Sequence, residues 1–167
     1  MKIIDVNLGE IKIVKGNGLL RALSLGSCIA IVFYDAKNKL GGLAHVMLPG
    51  KSPKHRLIKR KRYAINAIDA LLKRIINSGA NEADIKVSIV GGGNVLKIKN
   101  DDICRGNICS VIGYLKENNL EIVGSSVGGF QRRSVSVNVE NGDIVYTLGN
   151  SAQKIIKKNN LQRWIGE

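Results

Sequence analysis

The run Ile29-Ala30-Ile31-Val32-Phe33-Tyr34 offers water no polar side before its last residue. Successive side chains of a strand point to opposite faces, so such a run needs apolar cover on both. It therefore predicts a buried central strand, and a central strand predicts a layered fold. Its neighbours agree. Ile11-Lys12-Ile13-Val14-Lys15 alternates and is followed by a Gly16-Asn17-Gly18 turn, Leu19 to Leu25 is a further strand, and Leu40 to Leu48 returns after the polar loop 35–39. Gly41-Gly42 in that returning strand signals a bulge or a close backbone approach.

Two helices are expected between further strands. The first carries Ile65, Ile68, Leu72, Ile75 and Ile76 at spacings of three and four, and stops at Asn77-Ser78-Gly79. The second is expected over 107–118, with Ile108, Val111, Ile112 and Leu115 on one face. Strands are predicted over 85–90, 121–126, 133–139 and 144–148, the last two joined by an Asn141-Gly142 turn. The fold class expected is α/β (α+β): a single-domain layered sandwich of mixed, mostly antiparallel β-sheet with two main helices. The domain is assigned to residues 1–150. Residues 151–167 form a basic C-terminal tail with the pattern of a short helix.

Three cysteines, an odd number separated without metal-knuckle spacing, read as reduced thiols, and no metal or other cofactor is expected. No apolar run reaches the length of a membrane span and the first residues lack a signal-peptide core, so a cytoplasmic protein is expected. The charge is lopsided: 26 Lys and Arg against 13 Asp and Glu give +13. Such a balance suits acidic partners. With only 4% aromatics to stack on bases, however, the sequence argues against nucleic acid. The acid-free run Lys51 to Arg62, including Lys59 and Arg62, reads as a solvated segment or as a docking surface for an acidic partner.

Chemistry points to one pair. Cys28 stands at the mouth of the central strand, after Gly26-Ser27, and His45 interrupts the apolar run of the strand expected to pair with it. Taken singly, a cysteine is most often a small buried hydrophobe and a lone histidine a satisfied core residue. Together they can do more. A tight turn before Cys28 aims the thiol into a cleft and leaves backbone N–H groups, near Ser27, to stabilise an oxyanion. His45 is the base that a thiol nucleophile needs. Gly91-Gly92-Gly93 lacks phosphate-loop spacing and reads as a turn lining a cleft.

The combination Leu25-Gly26-Ser27-Cys28 with Ala44-His45-Val46-Met47-Leu48-Pro49 resembles the chemoreceptor glutamine deamidase (CheD) family. Arg62-Tyr63-Ala64, Gly91-Gly92-Gly93, the segment Ile103–Asn107, and Gly128-Gly129 with Arg133-Ser134-Val135 extend the likeness over about residues 5–148. The resemblance implies a sandwich similar to the catalytic domains of glutamine-deamidating toxins. It also implies hydrolysis of receptor glutamines to glutamate, with Cys28 as nucleophile, a thioester intermediate and His45 as general base and acid. Candidate substrate or partner contacts are Gly92, Gly93, Arg133, Lys59 and Arg62. Expected partners are the cytoplasmic domains of chemoreceptors and a CheC-type phosphatase of CheY, with the chain a monomer or part of a heterodimer. Where the family has a threonine that orients the histidine, this chain has Ala22. Ser24, on the same strand face if pairing is regular, is the candidate substitute. The alternative reading is a weakly catalytic or non-catalytic adaptor that binds the phosphatase.

Overall fold

The computed structural model describes residues 1–56 and 58–165; Leu57 in the basic run and Gly166–Glu167 at the end of the tail lie outside the described residues. Ten strands occur in chain order among them: β1 (Ile3–Asp5), β2 (Ile11–Lys15), β3 (Leu19–Leu25), β4 (Ile29–Asp35), β5 (Leu40–Val46), β6 (Lys86–Gly91), β7 (Glu121–Val127), β8 (Arg133–Asn138), β9 (Ile144–Leu148) and β10 (Lys154–Ile155). Two helices join them, α1 (Ala64–Asn77) and α2 (Asp102–Glu117).

The strands form two mixed five-stranded sheets, an outer one in the order β1-β3-β8-β9-β10 and a middle one in the order β2-β5-β4-β6-β7. Pairing is antiparallel except for one parallel pair in each sheet, β1 with β3 and β6 with β7. The layered α+β class expected from the residues is the class found.

β4 lies in the centre of the middle sheet, and its two faces serve two different cores. Ile29, Ile31 and Phe33 pack with Ala44 and Val46 of β5 against Ala64, Ala67, Ile68, Leu71 and Ile75 of α1 and Ile108, Val111 and Leu115 of α2. Ala30 and Val32 face the other way, with Leu43, into a core shared with Leu20, Leu25, Val135 and Val137 of the outer sheet. The strand has no polar face because both of its faces are interior.

Glycines Gly41 and Gly42 on β5 are the close-approach kind. A Cβ on Gly41 would stand 2.5 Å from Val139 Cγ2, and one on Gly42 2.7 Å from Leu71 Cδ1. They let the two sheets and α1 close on β5 from both sides.

Two boundaries differ from expectation. α2 begins at Asp102, five residues before the predicted start, because the Asp101 side chain caps it, accepting from the N–H groups of Ile103 (2.9 Å) and Cys104 (3.2 Å). Among the described residues, the tail does not form an α-helix. Lys154–Ile155 pairs with β9, and Gln162–Trp164 makes a single 3₁₀ turn. Its apolar residues are absorbed individually: Ile156 packs into the inter-sheet core, and Leu161 and Trp164 against the helix-side core. Among the described residues, no helix is long and apolar enough to cross a membrane.

Candidate active site

The chain changes sheets between β3 and β4, and Cys28 lies at the crossing. The end of β3 is irregular: its register with β8 slips between Ala22 and Leu25, and Ser24 takes a left-handed φ of 55°. Gly26-Ser27-Cys28 then leads into β4. On the far side, Gly91 and Gly92 at the end of β6 adopt φ of 127° and 67°. There the backbone N–H of Gly92 donates to Cys28 O at 2.8 Å and that of Gly93 to Gly26 O at 2.8 Å. Two glycine amides thus hold the turn that carries the thiol.

β4 pairs with β5 in the register Ile29↔Val46 and Ala30↔His45. Continued by one step, this register sets Cys28 opposite Met47 and diagonal to His45. Both belong to the parity that faces the inter-sheet core, shared by Ala30 and Leu43, and Cys28 packs at the edge of that core. Diagonal neighbours on one face are within reach of each other when one side chain is long. The pairing thus sets the segments that carry Cys28 and His45 side by side at one end of the β4–β5 hairpin.

His45 is 7% exposed. Its Nδ1 lies 3.0 Å from Val6 O. A carbonyl only accepts, so Nδ1 carries the ring proton in the neutral form and Nε2 keeps its lone pair, the tautomer a general base requires. Backbone bonds lock the ring's strand to the segment before β2: His45 N–H donates to Glu10 O at 3.1 Å, and Gly9 N–H to His45 O at 2.9 Å. Burial lowers the pKa of His45, opposed more weakly by the Val6 carbonyl and the Glu10 charge. Burial pushes the Cys28 thiol up. Both shifts favour the neutral forms, a thiol for Cys28 and an imidazole for His45.

The lowered pKa of His45 has a measurable sign. Between its folded value and the ordinary value of 6.5, the unfolded chain binds a proton that the folded chain does not. Stability from this group is complete above 6.5 and lost as pH falls through the folded value. Urea unfolding from about pH 7 down to about pH 5 should show that loss, and His45→Gln should flatten this part of the curve. An unchanged slope in the variant would overturn the assignment.

Nearby groups complete the corner. Among the described residues, neither the Ser27 nor the Cys28 backbone N–H has an acceptor, so both are free to meet a developing oxyanion. Ser27 also lines an open cleft of about 380 Å³ with Gly26, Gly93, Val95, Leu96 and Ile103. Cys104, at the base of this cleft, is chemically unlike Cys28. Its Sγ donates to Asp101 Oδ2 at 3.0 Å, and burial together with the Asp101 carboxylate pushes its thiol up to about 12. It is the less ionisable of the two.

Sequence reasoning missed two participants. The Val6 carbonyl is a backbone group, and no residue type signals it. Asn107, fully buried on α2, donates through Nδ2 to Ser27 O at 2.9 Å and to Met47 O at 3.0 Å. It therefore ties together the residue before Cys28 and the residue opposite it, while its own Oδ1 is buried without a protein partner. A signal existed, because Asn107 lies one turn before Val111 on the apolar face of α2, where a polar residue needs a reason. Asn107→Leu should cost about 2–4 kcal/mol by leaving two part-buried carbonyls without their donor. It should also lower turnover by loosening the Cys28 turn, as read by chemical denaturation and a kcat measurement.

The remaining candidates divide. Ser24 is exposed, and its N–H donates to Ser134 Oγ at 3.2 Å. The bulge breaks the two-residue alternation that would have turned it with Ala22, and His45 Nδ1 meets Val6 O instead. Ala22 is fully buried in the inter-sheet core beside Val6. Arg133 is interior and grips a loop, donating from Nε to Ser126 Oγ at 2.9 Å and from Nη1 to Gly128 O at 2.7 Å. Arg62 accepts from the N–H groups of Met47 and Leu48 through its carbonyl, and its stem passes Gly9, which holds the His45 carbonyl. Lys59 stands exposed before the 3₁₀ turn Arg60–Arg62, where its carbonyl accepts from Arg62 N–H at 3.2 Å.

Comparison with known proteins places the chain in context. A family profile described as CheD chemotactic sensory transduction matches residues 47–147. A Chlorobium luteolum protein named probable chemoreceptor glutamine deamidase CheD is 34% identical over 148 residues, covering 89% of this chain and 74% of the relative. Its counterpart of the same name in Clostridium acetobutylicum is 34% identical over 160 residues, 93% of this chain and 96% of the relative. The Thermotoga maritima protein named chemoreceptor glutamine deamidase CheD is 32% identical over 154 residues, 92% of this chain and 97% of the relative.

Proposed function

The chain belongs to the CheD family, and on that premise we propose that it hydrolyses glutamine side chains of chemoreceptors to glutamate, using Cys28 as nucleophile and His45 as base and acid. The observation that carries this reading is the Val6 carbonyl on His45 Nδ1, which leaves Nε2 with its lone pair, on a strand paired with the one that Cys28 precedes.

The steps follow from these atoms. His45 Nε2 takes the thiol proton as Sγ attacks the amide carbon, forming the C–S bond and a tetrahedral oxyanion beside the Ser27 and Cys28 N–H groups. Collapse breaks the C–N bond; His45 returns the proton, and ammonia leaves. The thioester is then attacked by a water that gives its proton to His45. The second collapse restores the thiol and releases glutamate. The sum is glutamine plus water to glutamate plus ammonium, the proton of the new carboxylic acid passing to ammonia, and no step calls for a cofactor.

The cleft favours a protein segment over a free amino acid. Its mouth carries Val95, Leu96, Ile98 and Ile103 with their side chains exposed, Leu96 to 81%. An apolar rim of this kind suits contact with a folded surface rather than with a small polar substrate. The test is incubation with a chemoreceptor cytoplasmic fragment, followed by peptide mass spectrometry. Amide-to-acid conversion at particular glutamines is the expected result, and its absence with a receptor that demonstrably binds would sink the reading.

The adaptor reading rests on Ala22 in place of an orienting threonine. The Val6 carbonyl supplies that contact by another route, which favours the catalytic reading. If a Cys28→Ala protein binds a CheC-type phosphatase while the parent shows no deamidation, the adaptor reading prevails.

A further inference from the structure

The second concentration of chemistry lies away from the thiol, where the tail crosses the end of β7. Ser125 N–H donates to Lys157 O at 3.0 Å, Asn159 Nδ2 donates to Ser125 O, and Ile156 packs against Gly124. Between this strap and the Gly128-Gly129 loop is a pocket of about 200 Å³. Its walls include Ser126, Arg133, Asn160, Arg163 and Trp164, and among the described residues none that lines it is Asp or Glu.

Two guanidinium groups converge there on Gly128. Arg133, 6% exposed, donates from Nη1 to Gly128 O, and Nη1 also reaches Gln131 O at 3.3 Å. Among the described residues, its Nη2 has no acceptor, and none of the ion pairs includes either arginine. Arg163 stacks on Trp164 with its Cζ 4.7 Å from the ring centroid. Its Nη2 lies 3.6 Å from where a Cβ on Gly128 would stand. Burial already disfavours the charge on Arg133. A buried arginine that shares a small pocket with a second arginine, with no carboxylate among the described lining residues, is more stable with an anion in that space. Planar guanidinium forks match the oxygens of a phosphate group. The Ser126 hydroxyl accepts from Arg133 Nε, so its own proton is free to donate.

We propose that this pocket binds a small oxyanion: a phosphate group, free as orthophosphate or carried as a phosphomonoester. Its occupancy would reach the thiol by a short path. Gly128 N–H donates to Gly91 O at 3.0 Å, and the next residue, Gly92, donates to Cys28 O. An anion that fastens the Gly128 loop fastens the turn beneath the nucleophile.

The test is calorimetric titration of the full chain with orthophosphate, and separately with phosphoserine, at ionic strength held constant with chloride. One saturable site is expected. Arg163→Gln should weaken it about 10-fold or more, the effect of losing one charged hydrogen-bond partner. Lys154→Gln removes the same charge from an exposed position elsewhere on the tail and should leave binding unchanged. Arg133→Lys, which keeps the charge but loses the fork, should weaken binding as well; because Arg133 also pins the loop, Arg163→Gln is the deciding variant. Equal affinity for both titrants assigns an ester-borne phosphate, and binding of orthophosphate alone assigns the free ion. No saturable binding, or equal weakening by the Arg163 and Lys154 variants, would overturn the site.

Discussion

Cys28→Ala is expected to reduce deamidation of a receptor fragment by about 10⁴-fold or more, with the folded state nearly unchanged. Activity should collapse because no other group can form the thioester. Cys104 is hydrogen-bonded to Asp101 and hard to ionise, and Cys109 lies on α2 outside the corner that holds His45. Stability should barely move because Cys28 is only half-buried, at the edge of the inter-sheet core. The measurement pairs mass spectrometry of the fragment with a melting curve of each protein. Conversion by the variant at the parental rate would remove Cys28 from the mechanism. A large fall in melting temperature would make the cysteine structural rather than chemical.

Gly91→Ala should be the most damaging small substitution in the site. At φ of 127° an L-residue is strained, and a Cβ would fall inside the contact distance of the Cys28 carbonyl oxygen and crowd Ile29 Cα. That oxygen accepts from Gly92, so the clash strikes the bond that holds the Cys28 turn. The expected cost is about 3 kcal/mol or more, with turnover lost even in conditions where the protein stays folded. Gly26→Ala makes the control, because the nearest atom to its Cβ would be Val95 Cγ2 at an ordinary 3.8 Å. Denaturant midpoints for the two variants should differ widely. Similar midpoints would mean that the glycine turn is not what holds Cys28.

Much of this was readable beforehand. The pairing of the Cys28 and His45 strands followed from two apolar runs and a short polar loop, since a loop of that length leaves antiparallel pairing as the simple outcome. What escaped were features without local signals. Ser24 was placed on the face of Ala22 by strict alternation, which the bulge between Ala22 and Leu25 breaks. The start of α2 was set too late because its first turn exposes Ile103 and depends on a capping side chain rather than on apolar periodicity. The tail read as an amphipathic helix, yet β9 offers it an edge and two cores take its apolar residues one by one.

The sequence by itself determined the layers and the chemistry on offer. A strand with no polar face must lie between two apolar surfaces, and the pairing of the strand that follows Cys28 with the strand that carries His45 can be read from spacing. Only the tertiary structure decided how that chemistry is armed. The Val6 carbonyl selects the His45 tautomer, Asn107 ties Ser27 to Met47, and Arg133 and Arg163 meet over Gly128. Each of these joins segments far apart in the chain through backbone oxygens or close approach. Such contacts leave no periodicity in the sequence, because they arise only when the sheets, the helix and the tail have packed.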